Sequence, residues 1–208
     1  RMAGRAALNR ARCRRSIRGT GHAIVTRDAV LRNVRFRLRG SGHSIVIGPQ
    51  ARLSDLVITM EGTGHELQIG PDVRIHAGAI SFYDDRGTIS IGDHTAIYEA
   101  SFGVMEGGRI SVGESCLFAT AVDIRNGDSH SIIDVASGGR LNAAADVVIA
   151  EHVWLGVRAI VLKGSRIGAN SIVGAGSIVA GAVPEGCIAA GAPARVVAQG
   201  VTWRGERV

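Results

Sequence analysis

Aromatic residues are scarce in this chain of 208 residues and make up 4% of it. Proline is also rare, with four residues against 29 glycines. So much glycine with so little proline indicates many turns in a regular repeat and argues against disorder. A thin structure filled by Ile, Val, Leu and Ala has little room for rings, so both scarcities favour a narrow, repetitive fold.

Cysteine is equally sparse. Cys13, Cys116 and Cys187 are odd in number and scattered, and neither a CxxC motif nor a Cys/His metal spacing is present. This pattern predicts a reduced, cytoplasmic protein without a metal. The chain has no apolar run long enough to span a bilayer. Its arginine-rich start lacks the apolar core of a secretory signal.

Lysine is almost absent, since Lys163 is the only one, yet the formal net charge is +6 because arginine is abundant. Two explanations stay open: a compositional bias of the genome, and attraction to an anionic ligand such as a phosphorylated cofactor or an acidic glycan. Nucleic acid is not expected, because the basic residues alternate with aliphatic ones and not with exposed aromatics.

Aliphatic residues recur every six positions through the C-terminal third of the chain. A helix repeats about every 3.6 residues and an open strand every two, so neither explains this period. A prism with three short sides does, if one aliphatic side chain per side points to the axis and a small residue turns each corner. The pattern therefore predicts the hexapeptide repeat of a parallel β-helix. The six positions are Ile149, Leu155, Val161, Ile167, Val173 and Val179.

A longer repeat precedes this segment, in which Gly-x-Gly-His turns end at His22, His43 and His65. We interpret each repeat as one coil of three hexads plus a few residues of loop at a corner. The histidines are then expected to stack along that corner as polar surface side chains. A metal site is not favoured, because ligands must converge to about 2 Å from the ion and equivalent atoms of stacked coils lie about 4.8 Å apart.

The hexad pattern breaks over residues 127–146, and a long excursion from a tight repeat is a common place for function. His130 is the best candidate for chemistry there, because a neutral imidazole can accept a proton from an alcohol or amine. Asp128 is the choice to orient that imidazole. A surface loop histidine without a role is the competing interpretation.

Several residues after the excursion are candidates for ligand contact. The Trp154 indole N–H could donate to an oxyanion or form the wall of a pocket, or the ring could simply pack against the base of the loop. Lys163 and Arg195 are suited to phosphates. Gly174 and Ala175 would let a thin ligand lie close to the backbone, although small residues are expected at any hexapeptide corner.

The order of segments predicts a basic N-terminal cap or arm (1–18), a β-helix (19–183) with the loop 127–146, and a C-terminal helix and tail (184–208). For residues 1–18 a short helix that caps the solenoid is favoured, and an arm that contacts an anionic membrane surface is the alternative. The short C-terminal helix is predicted at residues 194–199, with Pro193 near its start and Gly200 at its end. Trp203 belongs to a tail that packs back on the solenoid.

Four motifs in order resemble the hexapeptide-repeat acetyltransferases, especially those that O-acetylate capsular polysaccharides and sialic acid polymers. They are Asp128-Ser129-His130-Ser131-Ile132, His152-Val153-Trp154-Leu155-Gly156, Val161-Leu162-Lys163-Gly164-Ser165 and Ala190-Gly191-Ala192-Pro193-Ala194-Arg195. The resemblance implies a left-handed parallel β-helix and a homotrimer that binds acetyl-CoA between subunits. It implies His130 as general base, Trp154 at the active site, and Gly191 to Arg195 beside the nucleotide end of CoA. Gly156, Lys163, Gly174 and Ala175 complete the expected cofactor contacts.

The predicted function is therefore acetyl-CoA-dependent O-acetylation of a sugar hydroxyl on a surface or capsular polysaccharide or its precursor, without a metal. One alternative is a metal hydratase similar to γ-type carbonic anhydrases, which would need closely spaced histidines where this chain has Asp134 four residues after His130. The other is a structural or ligand-binding solenoid, which gives no reason for a histidine between two carboxylates in a long loop.

Overall fold

The computed structural model of the protein describes residues 13–206. They form 23 β-strands and no helix, arranged as coils of a parallel β-helix. The predicted all-β parallel β-helix is confirmed. Three flat faces, named A, B and C, follow one another along the chain, and each strand pairs in parallel with its equivalent one coil away.

Face A contains the strands β1 (Arg14–Thr20), β4 (Arg35–Ser41), β7 (Leu56–Thr63), β14 (Val122–Arg125), β17 (Ile160–Val161) and β20 (Ile178–Val179). Face B contains the strands β2 (Ala23–Thr26), β5 (Ser44–Ile47), β8 (Glu66–Ile69), β10 (Thr88–Ile91), β12 (Arg109–Val112), β15 (Val147–Ile149), β18 (Arg166–Ile167) and β21 (Ala182–Val183). Face C contains the strands β3 (Val30–Arg32), β6 (Arg52–Ser54), β13 (Leu117–Phe118), β16 (Trp154–Leu155), β19 (Ile172–Val173) and β22 (Cys187–Gly191). The strands β9 (Arg74–Phe82) and β11 (Ala96–Val104) bend from face C onto face A, and β23 (Ala194–Gln199) follows β22.

The axis of the helix is the core. All six predicted hexad positions from Ile149 to Val179 are buried, so the phase of the repeat is confirmed. The coils closer to the N-terminus are longer: Ser44 pairs with Glu66, a step of 22 residues, whereas Val148 pairs with Arg166, a step of 18. The extra residues do not form the predicted corner loop. They lengthen the strands of face A, which widens the interior enough for Phe36 and Phe82.

Glycines allow the corner between faces A and B to turn tightly. Gly19, Gly40 and Gly62 have φ values of 110°, 112° and 115°. A Cβ atom on Gly40 would lie 1.7 Å from the carbonyl oxygen of Gly62. No side chain fits there, so the repeated glycines of the sequence are a packing requirement.

The three histidines stack at this corner as predicted, with ring centroids 4.8 Å (His22–His43) and 5.1 Å (His43–His65) apart. The expectation that they lie on the surface is wrong, because His43 and His65 are fully buried. Nε2 of His43 lies 3.0 Å from the Arg39 carbonyl oxygen, and Nδ1 accepts the backbone N–H of His65. A carbonyl only accepts and an amide N–H only donates, which fixes a neutral ring with the proton on Nε2. Burial lowers the pKa of His43, which keeps the ring neutral.

Both ends of the chain differ from the sequence expectation. Residues 194–199 form the strand β23 and not a helix, and pair antiparallel with β22. The open edge of β22 offers unpaired backbone groups, and the β-branched Val196 and Val197 favour a strand there. Residues 14–18, placed in a helical cap or arm, belong to β1 and pair with β4. Residues 1–12 of that cap or arm lie outside the described part.

Candidate active site

The predicted loop leaves the helix between β14 and β15, at the corner of faces A and B, and is confirmed as an excursion between Arg125 and Val147. Its base is tied to the helix through Asn126, which is fully buried. The Asn126 side chain exchanges two hydrogen bonds with the backbone of Met105, at 2.8 and 3.0 Å. Its carbonyl also accepts the N–H of Ala145, 2.8 Å away. The loop is therefore pinned at the points where it leaves and rejoins the coil.

Asn142 organises the interior of the loop and is 5% exposed. Its amide nitrogen donates to the His130 carbonyl oxygen at 2.7 Å and to Asp128 Oδ2 at 2.9 Å. Its amide oxygen accepts the N–H of Ile132 at 2.7 Å. Sequence reasoning assigned no role to Asn142. An asparagine inside a loop otherwise rich in small residues is the only sequence signal that could have found it.

A second clamp holds the loop from outside. The Glu106 carboxylate, on the coil below, accepts from Arg140 at 2.5 Å and from the N–H of Ala144 at 3.2 Å. The hydrogen bond from Arg140 is the main reason that the pKa of Glu106 is below its usual value. Sequence analysis missed this pair, because 34 residues separate its members.

His130 is held by its backbone, while its ring is left available. The N–H donates to the Asp128 carbonyl oxygen at 2.7 Å, and the carbonyl oxygen accepts from Asn142. The imidazole makes no hydrogen bond, ion pair or ring contact with any residue between 13 and 206, and the residue is exposed. The loop thus presents an imidazole that another molecule can reach.

Asp128 does not orient that imidazole within one chain. Its carboxylate forms an ion pair with Lys163 and accepts from Asn142. The hydrogen bond from Lys163 is the main cause that lowers the pKa of Asp128, and Asn142 adds to it. Asp134, the second flanking carboxylate, is held by the N–H and hydroxyl of Ser137, both at 2.7 Å. Neither aspartate contacts the ring, so the predicted role of Asp128 is not supported by the single chain.

Trp154 lies on face C with 40% of its surface exposed. Trp203 from the C-terminal tail lies beside it, with ring centroids 6.2 Å apart. Trp203 also stacks on His152 at 4.3 Å and donates from Nε1 to the His152 carbonyl oxygen at 2.7 Å. This confirms that the tail packs back on the solenoid. Within the described residues the Trp154 indole N–H has no acceptor, so it is available to a ligand.

The remaining candidates are grouped near Trp154, at the corner where face C meets face A. The Gly156 N–H donates to Val173 O at 2.8 Å. A Cβ atom on Gly156 would lie 2.6 Å from Ala175 N, and one on Gly174 would lie 3.1 Å from Ala190 Cβ. These small residues are therefore needed for coil stacking, whatever they bind. Arg195 is exposed on β23, and within the described part of the chain its guanidinium donates one hydrogen bond, to the neighbouring Ala194 carbonyl oxygen at 3.0 Å.

The structure thus divides the predicted site residues into two groups. The loop group, defined as His130, Asp128 and Lys163, lies at the corner of faces A and B. The tryptophan group, defined as Trp154, Gly156, Gly174, Ala175 and Arg195, lies on face C, on its corner with face A and on the adjoining strand β23. In a three-sided prism the A/B corner is opposite face C. One chain therefore does not bring the two groups together.

Within residues 13–206, no cluster of three or more His, Cys, Asp or Glu side chains is arranged to hold a metal ion. Cys13, Cys116 and Cys187 are all free. The described part of the chain also contains no helix long and apolar enough to cross a membrane.

Fold and repeat together define a hexapeptide-repeat β-helix protein. The family model of the bacterial transferase hexapeptide (six repeats) matches residues 146–181. In this segment the chain is similar to the bacterial hexapeptide-repeat transferases.

Among curated proteins, a polysialic acid O-acetyltransferase of Escherichia coli O1:K1 / APEC is 31% identical over 115 residues, which cover 55% of this chain and 38% of the relative. A polysialic acid O-acetyltransferase of Neisseria meningitidis is 38% identical over 77 residues, or 37% of this chain and 36% of the relative. The matched segments thus span well under half of either relative. A galactoside O-acetyltransferase of Lactococcus lactis is 36% identical over 118 residues, covering 55% of this chain and 56% of the relative.

Solved structures extend the likeness over nearly the whole chain. The polysialic acid O-acetyltransferase OatWY superposes with a TM-score of 0.90 and 28% identity, covering 93% of this chain and 92% of that one. The polySia-specific acetyltransferase NeuO superposes with a TM-score of 0.87 and 28% identity, covering 94% and 90%.

Proposed function

We propose that this protein transfers the acetyl group of acetyl-CoA to a hydroxyl group of a surface or capsular polysaccharide or of its precursor. The observation that carries this proposal is the His130 imidazole, which a clamped loop presents without a hydrogen-bond partner among residues 13–206. The likeness to two polysialic acid O-acetyltransferases over more than 90% of the chain supports the same activity.

The reaction needs a base, an acyl donor and a donor of hydrogen bonds to the oxyanion. The neutral His130 ring removes the proton of a sugar hydroxyl, and the oxygen attacks the thioester carbonyl of acetyl-CoA. The tetrahedral intermediate collapses, the CoA thiolate leaves, and it takes the proton from His130. The Gly156 N–H is already bonded to Val173, so the oxyanion is stabilised by Trp154 Nε1 or by another backbone N–H near Gly156. The other members of the tryptophan group contact the cosubstrate along the C/A corner.

Lys163 has a structural role in the loop that the sequence did not indicate. Its ammonium group is bound by Asp128, 35 residues earlier, so it braces the base of the His130 loop. In this arrangement Asp128 holds the loop through Lys163 and Asn142 and does not touch the imidazole. The phosphate role proposed for Lys163 from the sequence would require that ion pair to open.

Acetyl transfer is tested by incubating the protein with acetyl-CoA and a panel of glycans. We expect free CoA thiol to appear only with a suitable acceptor, and that acceptor to gain the mass of one acetyl group per modified hydroxyl. A neutral glucan is the matched control. Thiol release that is the same with every glycan and with none would contradict the proposal, because it would show hydrolysis or no transfer.

The separation of the two groups leads to the second part of the proposal, a closed homotrimer. The loop at the A/B corner of one chain would meet face C of the next at the level of Trp154, a head-to-tail contact that closes as a ring of three chains. The loop carries four exposed aliphatic side chains that such a contact would cover. They are Ile132 (57% exposed), Ile133 (50%), Val135 (99%) and Leu141 (66%).

Mixing two inactive variants tests whether the site lies between chains. His130→Ala spoils the loop group and Trp154→Ala spoils the tryptophan group. A trimer that contains both variants always has one interface at which an intact His130 loop meets an intact Trp154. Random assembly of equal amounts should therefore restore about a quarter of the parent activity. Light scattering should show a trimer, and a monomer at micromolar concentration or a mixture without recovered activity would contradict the shared site.

A further inference from the structure

Face C carries a basic and aromatic strip on the N-terminal side of Trp154. The strands pair in register, so that Arg52 lies beside Arg74, Arg74 beside Ala96, Ala96 beside Leu117, and Leu117 beside Trp154. Arg32, His76 and Tyr98 occupy the next outward column of the same strands. At roughly 4.8 Å per coil, Arg52 and Trp154 are separated by about 19 Å along the axis. We call Arg32, Arg52, Arg74, His76, Tyr98 and Trp154 the face C strip.

The charges of the strip are not neutralised by the protein. Arg32, Arg52 and Arg74 are exposed, and none of them forms an ion pair with any residue of the described chain. The strip's two columns contain no Asp or Glu between Val30 and Trp154, and the nearest exposed carboxylates are Asp55 and Glu99 at the corner with face A. Arginines side by side on neighbouring strands repel each other and destabilise the sheet. Such a cost is consistent with a surface that is used to bind anions.

Stacked rings complete the strip between the arginines and Trp154. Tyr98 is 53% exposed, and its ring lies 5.3 Å from that of His76 with planes inclined by 13°. An exposed, pre-stacked ring offers an apolar platform with a polar rim, which suits the C–H face of a sugar. Guanidinium groups match carboxylates in two-pronged hydrogen bonds.

We propose that the face C strip binds the sugar units of an acidic polysaccharide next to the unit that is acetylated at Trp154. The proposal rests on the proposed function, and it adds that the acceptor is an anionic polymer and lies along the helix axis. Arg52 and Arg74 bind carboxylates, and Tyr98 stacks on a sugar ring. The strip thereby favours polymers over short acceptors.

Binding without acetyl-CoA tests the strip separately from transfer. The probes are a sized polysialic acid fragment, dextran of similar length and polyuridylate. We expect the double variant Arg52→Gln/Arg74→Gln to bind the acidic fragment about tenfold more weakly than the parent. The matched control is Arg35→Gln/Arg37→Gln, which removes the same charge from β4 on face A and should bind like the parent. In the same assay, binding of the acidic fragment by Tyr98→Ala is compared with binding by Tyr83→Ala, which removes the other tyrosine of the chain.

If the two double arginine variants weakened binding of the acidic fragment equally, the proposal would be overturned, because the loss would then reflect the net charge and not the face C strip. Binding of dextran or polyuridylate as tight as that of the acidic fragment would overturn it as well. Transfer assays separate this result from a failure of the proposed function. The Arg52→Gln/Arg74→Gln variant should keep parental turnover on a short acceptor and show a raised KM only for the polymer. An unchanged KM for the polymer would contradict polymer binding by the face C strip and would leave the proposed acetyl transfer standing.

Discussion

Replacing His130 with alanine should lower turnover by roughly 100-fold to 10,000-fold, the usual contribution of a positioned general base. The ring is exposed and makes no hydrogen bond, ion pair or ring contact with residues 13–206, so its removal leaves no unpaired group and no buried cavity. The free energy of unfolding should therefore stay within about 0.5 kcal/mol of the parent value. Affinity for acetyl-CoA should change little, because the expected cosubstrate contacts lie in the tryptophan group.

Steady-state kinetics with a saturating acceptor and a urea titration check both halves of this expectation. His94→Ala is the control, because it removes another exposed histidine, one that lies beside Asp72. Trp154→Phe should be milder than His130→Ala, because it keeps the ring and loses only the N–H. If His130→Ala turns over like the parent, the base is elsewhere, and His152 becomes the next candidate.

The second large effect is expected for Val173→Asp, which should unfold the C-terminal coils. Val173 is fully buried between Leu155 and Ala189 of the adjoining coils. A carboxylate there would have neither water nor a partner, and the penalty is on the order of several kcal/mol. Urea unfolding followed by circular dichroism measures the loss. Val197→Asp, on the 64% exposed Val197 of β23, makes the same chemical change at the surface and should have little effect. An unchanged midpoint for Val173→Asp would refute the axial placement.

The C-terminal coils could be predicted from the sequence because their period is strict. One aliphatic per six residues allows a single phase, and the residues between Ile149 and Val179 follow it. The loop was visible for the complementary reason, since residues 127–146 cannot keep that phase. Both inferences use local spacing, which a single sequence displays directly.

The errors arise where contacts between distant residues decide the outcome. The buried position of His43 depends on a carbonyl of Arg39 and an N–H of His65, which satisfy both ring nitrogens. The strand at 194–199 depends on the free edge of β22, which outweighs the signals from Pro193 and Gly200. The partner of Asp128 proved to be Lys163, 35 residues away, where sequence proximity favoured His130.

The two coil lengths have a consequence for how this chain can change in length. Each coil contacts only the coils above and below it, and Ser44 repeats the position of Glu66. Removing or duplicating one whole repeat of 22 residues would keep every inward side chain inward. Inserting a single residue into β7 would instead turn its remaining inward side chains towards solvent. The unit of tolerated insertion or deletion is therefore the complete coil, and the solenoid can lengthen or shorten the face C strip without disturbing the coils around Trp154.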